Sequence, residues 1–208
     1  MRVLAIETAS EACSVALFEG TALIAHDHRI LGRGHAEQLI PMIEALPEQG
    51  RAERILVSLG PGSFTGVRVG LAAARALGIA WKAEVLGYPT LRLVQLHAWQ
   101  PMPRAVTVCM NGGHGEWFVQ NFAADYTAED EVRSLTPDQI QVEGAHKVIV
   151  GNRAKECAAL FEDDRVIVDI LPDARKTNLF HEQYLTTSLT PIYGRAPDAT
   201  PQKPKVTS

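Results

Sequence analysis

The sequence predicts an α/β fold built as two similar lobes, and three observations carry that reading. Each half opens on short strands joined by short turns. Each half then alternates strand and helix. A proline-rich break, Gln100-Pro101-Met102-Pro103, lies between the halves. A strand meander followed by a β-α-β unit, occurring twice, points to a duplicated architecture, although no repeat is visible at the level of residues.

Residues Arg2–Glu7, Cys13–Phe18 and Leu23–His28 read as three strands, and the connections between them are too short for anything but a meander. Gly34–Leu46 has helical period. Leu39, Ile43 and Leu46 share one face, flanked by Ala36, Ile40 and Met42, an apolar arc of about 160° at 100° per residue. Pro41 inside this helix removes a donor and predicts a kink near Glu37. Ile55–Leu59 reads as a buried strand that ends in Gly60-Pro61-Gly62.

A long helix follows from Thr65 to about Lys82. Gly66, Gly70, Ala74 and Gly78 recur in it every four residues, so they form one small-residue stripe. Each glycine costs roughly 1 kcal/mol of helix propensity, and close approach of another backbone is the compensation expected. Arg68 and Arg75 lie seven apart on one face of the same helix. Glu84–Gly87 reads as a strand and Pro89–His97 as a helix. The second half starts with strands at Ala105–Met110 and Trp117–Phe122 around an Asn111-Gly112-Gly113 turn. An acidic loop is expected over Asp125–Glu131, then a strand at Lys147–Val150, a helix at Asn152–Phe161 and a strand at Arg165–Val168.

Composition narrows the function classes. The 208 residues carry 20 Lys+Arg against 24 Asp+Glu, a net charge of −4, with 46% hydrophobic and 21% charged residues. That is ordinary globular composition. Residues 1–104 sum to +1 and residues 105–208 to −5, so neither half is a basic nucleic-acid platform. No apolar run approaches the roughly 20 residues of a membrane span, and Glu7 interrupts what would be a signal-peptide core, which predicts a cytoplasmic protein. Cys13, Cys109 and Cys157 are scattered and odd in number, so reduced, buried thiols are expected.

Two segments have the look of a site. Gly60-Pro-Gly-Ser-Phe-Thr-Gly66 joins a strand to a helix, where amides can cradle an anion, yet it matches neither the dinucleotide nor the P-loop nor the nucleophile-elbow pattern. A tight turn with Ser63 or Thr65 as helix cap, its glycines serving backbone geometry, is the simpler account. Glu7-Thr8 ends the first strand before a Ser/Thr turn, where nucleotide phosphotransferases of the actin and hexokinase kind hold a metal–phosphate complex. Local side-chain bonding is the simpler account of those residues. The seven histidines include no H-x-x-x-H pair, and no metal or cofactor is called for. No Ser/His/Asp set is legible either, which ranks a peptidase lowest.

The residues resemble the TsaB (YeaZ) family. The resemblance rests on Leu4-Ala5-Ile6-Glu7-Thr8-Ala9-Ser10, on His35-Ala36-Glu37 with Leu39-Ile40-Pro41-Met42-Ile43, and most specifically on Gly60–Gly70. It is close over the first 90 residues and looser afterwards, through Gly115-Glu116 and Pro191-Ile192-Tyr193. It implies the two-lobed fold of the actin, Hsp70 and hexokinase superfamily (ribonuclease H-like). Residues 1–100 would form the lobe that carries the pairing helices, 103–194 the second lobe, and 195–208 a flexible proline-rich tail.

The resemblance also implies a non-catalytic scaffold without catalytic residues of its own. Such a chain pairs with TsaD, the subunit that transfers a threonylcarbamoyl group to adenosine 37 of tRNAs reading codons that begin with A. The ATPase TsaE joins the pair, a homodimer forms in the absence of TsaD, and tRNA is met only through the complex. TsaD carries a metal-binding H-x-x-x-H on its equivalent first helix, whereas here His35 is followed by Leu39. The pairing surface implied comprises His35, Leu39, Ile40, Met42 and Ile43 on the first helix and Gly66, Arg68, Gly70, Ala74, Arg75 and Gly78 on the second. Glu7, Thr8, Gly60, Gly62 and Ser63 would be a vestigial nucleotide site. The alternative function is a nucleotide-dependent small-molecule phosphotransferase of the same superfamily.

Overall fold

The structure, a computed structural model, describes residues 1–98 and 104–194; the expected break at Gln100–Pro103 and the expected tail at 195–208 lie outside the described residues. Five strands form the first sheet: β1 (Arg2–Glu7), β2 (Ala12–Glu19), β3 (Ala22–Ile30), β4 (Arg54–Ser58) and β5 (Glu84–Tyr88). Their spatial order is β3-β2-β1-β4-β5, antiparallel within the meander and parallel from β1 through β4 to β5. Helices α1 (His35–Glu44) and α2 (Phe64–Trp81) make the two crossovers, as a parallel sheet requires.

The second sheet repeats this plan. It holds β6 (Val106–Gly113), β7 (Glu116–Phe122), β8 (Arg133–Leu135), β9 (Val148–Val150) and β10 (Val166–Val168), in the order β10-β9-β6-β7-β8. Helices α4 (Pro137–Glu143) and α5 (Ala154–Ala158) stand where α1 and α2 stand in the first. The two topologies are identical, so the duplication predicted from element order is real and resides in connectivity. Helix α3 (Thr90–Ala98) lies between the sheets: Leu93 packs into the first lobe with Phe18, Leu86 and Tyr88, while Leu91 and Val94 pack into the second with Val106 and Phe122.

The first sheet is buried on both faces, which is why its central strands are continuous apolar runs. Leu4, Ile6, Val15, Leu17, Ile55 and Val57 meet α1 and α2. The alternate residues Ala5, Ala16, Phe18 and Leu56 meet α3 and the C-terminal segment. Period-two alternation therefore assigns each face.

Several boundaries differ from expectation for physical reasons. Gly34 caps α1 in the left-handed region (φ 90°) instead of starting it, and Leu46 is buried beyond its end. Ser63 caps α2, its Oγ accepting the Gly66 N–H. The hairpin turns at His114-Gly115, both with positive φ, two residues after the Asn-Gly pair, because a bulge between Asn111 and Gly113 carries the ladder past it. The expected helix over Asn152–Phe161 is only Ala154–Ala158. Strand β8 and helix α4 were not expected, although Thr136-Pro-Asp-Gln139 forms a complete capping box that the sequence displays.

After β10 the chain leaves the second lobe. Residues 174–192 return to the first sheet: Ala174 N–H donates to Ser14 Oγ (2.8 Å), Gly87 and Thr186 exchange backbone bonds, and Ile192 N–H donates to the Leu59 carbonyl (2.8 Å). The second lobe expected over 103–194 thus gives its last stretch to the first.

The tightest packing is between α2 and the turn after β1. A Cβ on Gly62 would lie 2.0 Å from the Ala9 carbonyl oxygen, and one on Gly66 would lie 2.0 Å from that of Thr8. Gly66→Ala is expected to cost at least about 2 kcal/mol, since the obstacle is backbone and cannot swing away. Gly20→Ala, at positive φ but in open space, should cost only about 1 kcal/mol. Urea titration of both variants checks the contrast.

Candidate functional site

A cleft of about 900 Å³ opens between the lobes. One wall is the β1–β2 turn, Ala9–Glu11, with the Pro61–Thr65 entry to α2. The other is the end of β6, Met110–Gly113, with His114 and Asn152. The C-terminal residues Ile192–Gly194 form a third side. One side chain crosses the opening. Asn152 Nδ2 donates to both carboxylate oxygens of Glu11 (2.9 Å each), while its Oδ1 accepts the Asn111 N–H (2.9 Å). This one side chain therefore ties the two lobes. On the first lobe, the Arg68 guanidinium stands 3.5 Å over the Phe64 ring and reaches Tyr193 Oη at 3.4 Å.

The five residues of the suspected nucleotide site are split. Gly62 and Ser63 line the cleft, whereas Glu7, Thr8 and Gly60 do not. Glu7 and Thr8 are sealed in the interior. Thr8 Oγ1 donates to the Gly66 carbonyl (2.8 Å), which spends its hydroxyl on fastening α2. Glu7 Oε1 accepts the Ala9 N–H (2.7 Å), and Tyr88 Oη donates to the Ile6 carbonyl (2.9 Å) and to Glu7 Oε2 (3.3 Å). Burial pushes the Glu7 carboxyl up to about 7, against the opposing pull of bonds from the Ala9 N–H, Ser58, Tyr88 and the Thr8 N–H. A carboxyl so placed is a structural acid near its midpoint at neutral pH. It presents no oxygen to a cleft-bound metal–phosphate complex.

The suspected pairing residues are split as well. Leu39, Met42 and Ile43 belong to the chain's own core, and His35 is buried with Nε2 3.2 Å from the Ala12 carbonyl oxygen. Withdrawing any of those three apolar side chains would cost roughly 2 kcal/mol of burial. The glycine stripe also faces inward: Gly66 sits on Thr8, Gly70 would place a Cβ 2.4 Å from Thr8 Oγ1, and Gly78 would meet Val85 at 2.5 Å. Ala74 is buried beside them. The close backbone approach read from the sequence is real, and the neighbour is this chain.

Arg68 and Arg75 are exposed, but both hold the C-terminal segment, Arg75 Nη2 donating to the Leu189 carbonyl (2.7 Å). The outward sides of α1 and α2 carry other residues. Ile40 is 41% and Ile79 83% exposed, and Ala72, Ala76 and Ala80 recur every four residues on the open side of α2. That alanine spacing was available in the sequence and was masked by the glycines next to it. Glu11, Phe64 and Asn152 are further site residues that the sequence did not single out. Their roles depend on contacts across 141 residues in one case and on a ring beneath a guanidinium in the other.

Ser14, His28 and Asp173 also converge: Ser14 and His28 are cross-strand partners, and His28 Nδ1 lies 3.6 Å from Asp173 Oδ2. Ser14 is wholly buried and its Oγ accepts the Ala174 N–H, so the group serves to dock the C-terminal segment. Among the described residues no cluster of three or more His, Cys, Asp or Glu could hold a metal, and no helix is long and apolar enough to cross a membrane.

Comparison with known proteins adds identity to this geometry. The family model described as TsaD, tRNA N6-adenosine threonylcarbamoyltransferase, matches residues 28–161, more than half of the chain. The chain is 38% identical over 105 residues to the tRNA threonylcarbamoyladenosine biosynthesis protein TsaB of Escherichia coli, covering 48% of this chain and 45% of that one. It is 35% identical over 124 residues to TsaB of Haemophilus influenzae, covering 53% and 51%. The chain thus spans about half the length of the curated relatives it matches. Among solved structures, YeaZ from Pseudomonas aeruginosa superimposes with a TM-score of 0.74 at 22% identity, over 92% of this chain and 99% of that one. The ethanolamine utilization protein EutJ of Carboxydothermus hydrogenoformans gives 0.51 at 8% identity, over 87% and 90%. These likenesses establish a two-lobed, actin-like fold.

Glu7 generates a pH prediction. Its carboxyl titrates near 7 when folded and near 4.5 when unfolded, so the folded state holds the proton more tightly. Its contribution to stability is fully present below pH 4.5 and is lost as pH rises toward 7, by roughly 3 kcal/mol. Glu7→Gln removes that loss. The stability difference between variant and wild type should therefore grow from pH 4.5 to 7 and then level off, as read by chemical denaturation across pH.

Proposed function

The chain belongs to the TsaD family, as a TsaB (YeaZ) protein, and we propose on that premise that it is a non-catalytic scaffold subunit of tRNA threonylcarbamoyladenosine biosynthesis. It pairs with TsaD through the outward sides of α1 and α2. The observation that carries the reading is the exposed small and apolar face of those two adjacent helices, with Ile40, Ala72, Ala76 and Ile79. Alanines at every fourth position let a partner helix approach closely, and an uncovered apolar helix face is what a subunit contact uses. The glycine stripe and the buried side of α1 act indirectly, by holding those helices in place.

In this reading TsaD transfers the threonylcarbamoyl group to adenosine 37 of tRNAs that read codons beginning with A. TsaE joins the pair, tRNA is met only through the complex, and in the absence of TsaD the same face joins two copies of this chain. The assembly works in the cytoplasm. The phosphotransferase alternative draws no support from Glu7, which is sealed behind the cleft, nor from Thr8, whose hydroxyl fastens α2.

The test is co-elution with the TsaD of the same cell on a sizing column with light scattering. The wild type should form a mixed complex. Ala76→Arg and Ile79→Glu should each weaken it at least about a hundredfold, as central interface residues do, while circular dichroism and melting temperature stay near wild type because both positions are exposed. Gly70→Leu would answer a different question, since it strikes Thr8 inside the chain. A wild type that ignores TsaD overturns the function proposed; variants that pair normally overturn the surface.

A further inference from the structure

Asn111-Gly112-Gly113 lines the second-lobe wall of the cleft, and the scaffold role makes no use of its chemistry. The chain has four asparagines, and only Asn111 is followed by glycine. The other three are restrained. Asn121 precedes Phe122, its Nδ2 donates to Asp130 Oδ2 (2.7 Å), and its Oδ1 accepts the Thr107 hydroxyl (2.6 Å). Asn152 precedes Arg153 and spends both ends of its amide on Asn111 and Glu11. Asn178 precedes Leu179 within the 3-10 helix Ala174–Leu179.

We infer that Asn111 is a spontaneous deamidation site of the folded chain, whose conversion to aspartate and isoaspartate loosens the tie between the lobes. Three features of the site support this. First, Asn111 is exposed, so the water that the reaction consumes reaches it. Second, its Oδ1 accepts the Gly113 N–H (3.3 Å). That bond folds the side-chain amide back over the Gly112 peptide and polarises its carbonyl. Third, the ladder pairs Asn111 with Trp117 and Gly113 with Glu116, so the bulge leaves Gly112 without a cross-strand partner. Gly112 also has no Cβ to hinder its own nitrogen as it approaches Asn111.

The reaction needs only water. The Gly112 nitrogen attacks Asn111 Cγ, an N–C bond forms, and the Gly112 proton passes to Nδ2. The Cγ–Nδ2 bond breaks, ammonia leaves, and a cyclic imide remains in the chain. Water then adds to either imide carbonyl, and the Gly112 nitrogen recovers a proton as its bond there breaks. Breaking the bond to Cγ gives aspartate. Breaking the bond to the main-chain carbonyl carbon gives isoaspartate, whose chain runs through Cβ and Cγ. Water enters, ammonia leaves, and nothing is oxidised or reduced.

The position of Asn111 gives the change a consequence. Its N–H donates to Asn152 Oδ1 (2.9 Å), and Asn152 Nδ2 donates to both Glu11 oxygens of the other lobe (2.9 Å each). Either product adds a carboxylate to the wall that faces Glu11, where like charges push the lobes apart. Isoaspartate also lengthens the main chain by a carbon at the bulge, which disturbs the pairing of Asn111 and Gly113 with Trp117 and Glu116.

The experiment ages the folded, full-length chain at physiological temperature beside a sample unfolded in urea, and maps peptides by mass spectrometry over time. A protein isoaspartyl methyltransferase with labelled methyl donor counts isoaspartate. The expected result is replacement of NH2 by OH in the Asn111 peptide alone, at a folded rate within severalfold of the unfolded rate, with methyl label at residue 111. Asn111→Gln should take up no label, because the longer side chain closes the imide far more slowly. Aged wild type and Asn111→Asp should both show amide exchange severalfold faster around Glu11 and Asn152, with circular dichroism unchanged. Three outcomes would each overturn the inference: Asn111 that is stable while folded and reacts only in urea, modification centred on Asn121, Asn152 or Asn178, or exchange around Glu11 and Asn152 no faster in either modified form.

Discussion

Everything in the first lobe depends on one close approach, that of the α2 entry onto the turn after β1. Ser63 N–H donates to the Ala9 carbonyl (2.7 Å), Thr8 Oγ1 donates to the Gly66 carbonyl (2.8 Å), and Gly62, Gly66 and Gly70 leave no room for a side chain between the two backbones. Backbone packed on backbone is stiff, because neither side has rotamers with which to yield. This contact sets the height of α2 over the sheet, shapes one wall of the cleft, and turns Ala72, Ala76 and Ile79 outward. The helix propensity lost at Gly66 and Gly70 is offset there.

The same contact withdraws the acid at the end of β1 from the cleft. Glu7 stands at the end of β1, where a carboxylate could reach a cleft ligand, yet the turn folds back over it and Tyr88 closes behind. Its carboxyl is held by hydrogen bonds and titrates near 7, so it acts as a buried polar pin. Thr8 is consumed in the same way. Both groups are used for packing, which supports the proposed scaffold reading.

The lobes are also less separable than their topologies suggest. Helix α3 contributes to both cores, Asn152 ties Glu11 across the cleft, and residues 174–192 return from the second lobe to lie against β2, β5 and α2. Arg68 and Arg75, which a helical wheel shows as free cations, secure that returning segment. The outward face of α2 is thereby bordered by the chain's own C-terminal stretch, and any partner meets both.

The sequence by itself determined the elements whose signals are local. Short apolar runs defined β1, β2 and β4, the helical period defined α1 and α2, and Ser63 or Thr65 stood as the legible cap of α2, because such runs, periodicity and capping are written within a few residues. The order of elements also determined the duplicated α/β plan, and Gly60–Gly70 carried the most specific part of the family resemblance. Even Thr136–Gln139 was legible, although short α4 has too few apolar positions to draw notice. Only the tertiary structure decided which way the small stripe faces, where Glu7 ends up, and what Arg68 and Arg75 hold. Those facts depend on which surface comes to rest against a helix or strand tens of residues away. A period of four glycines states that something approaches closely and is silent on whether that something is the same chain or another.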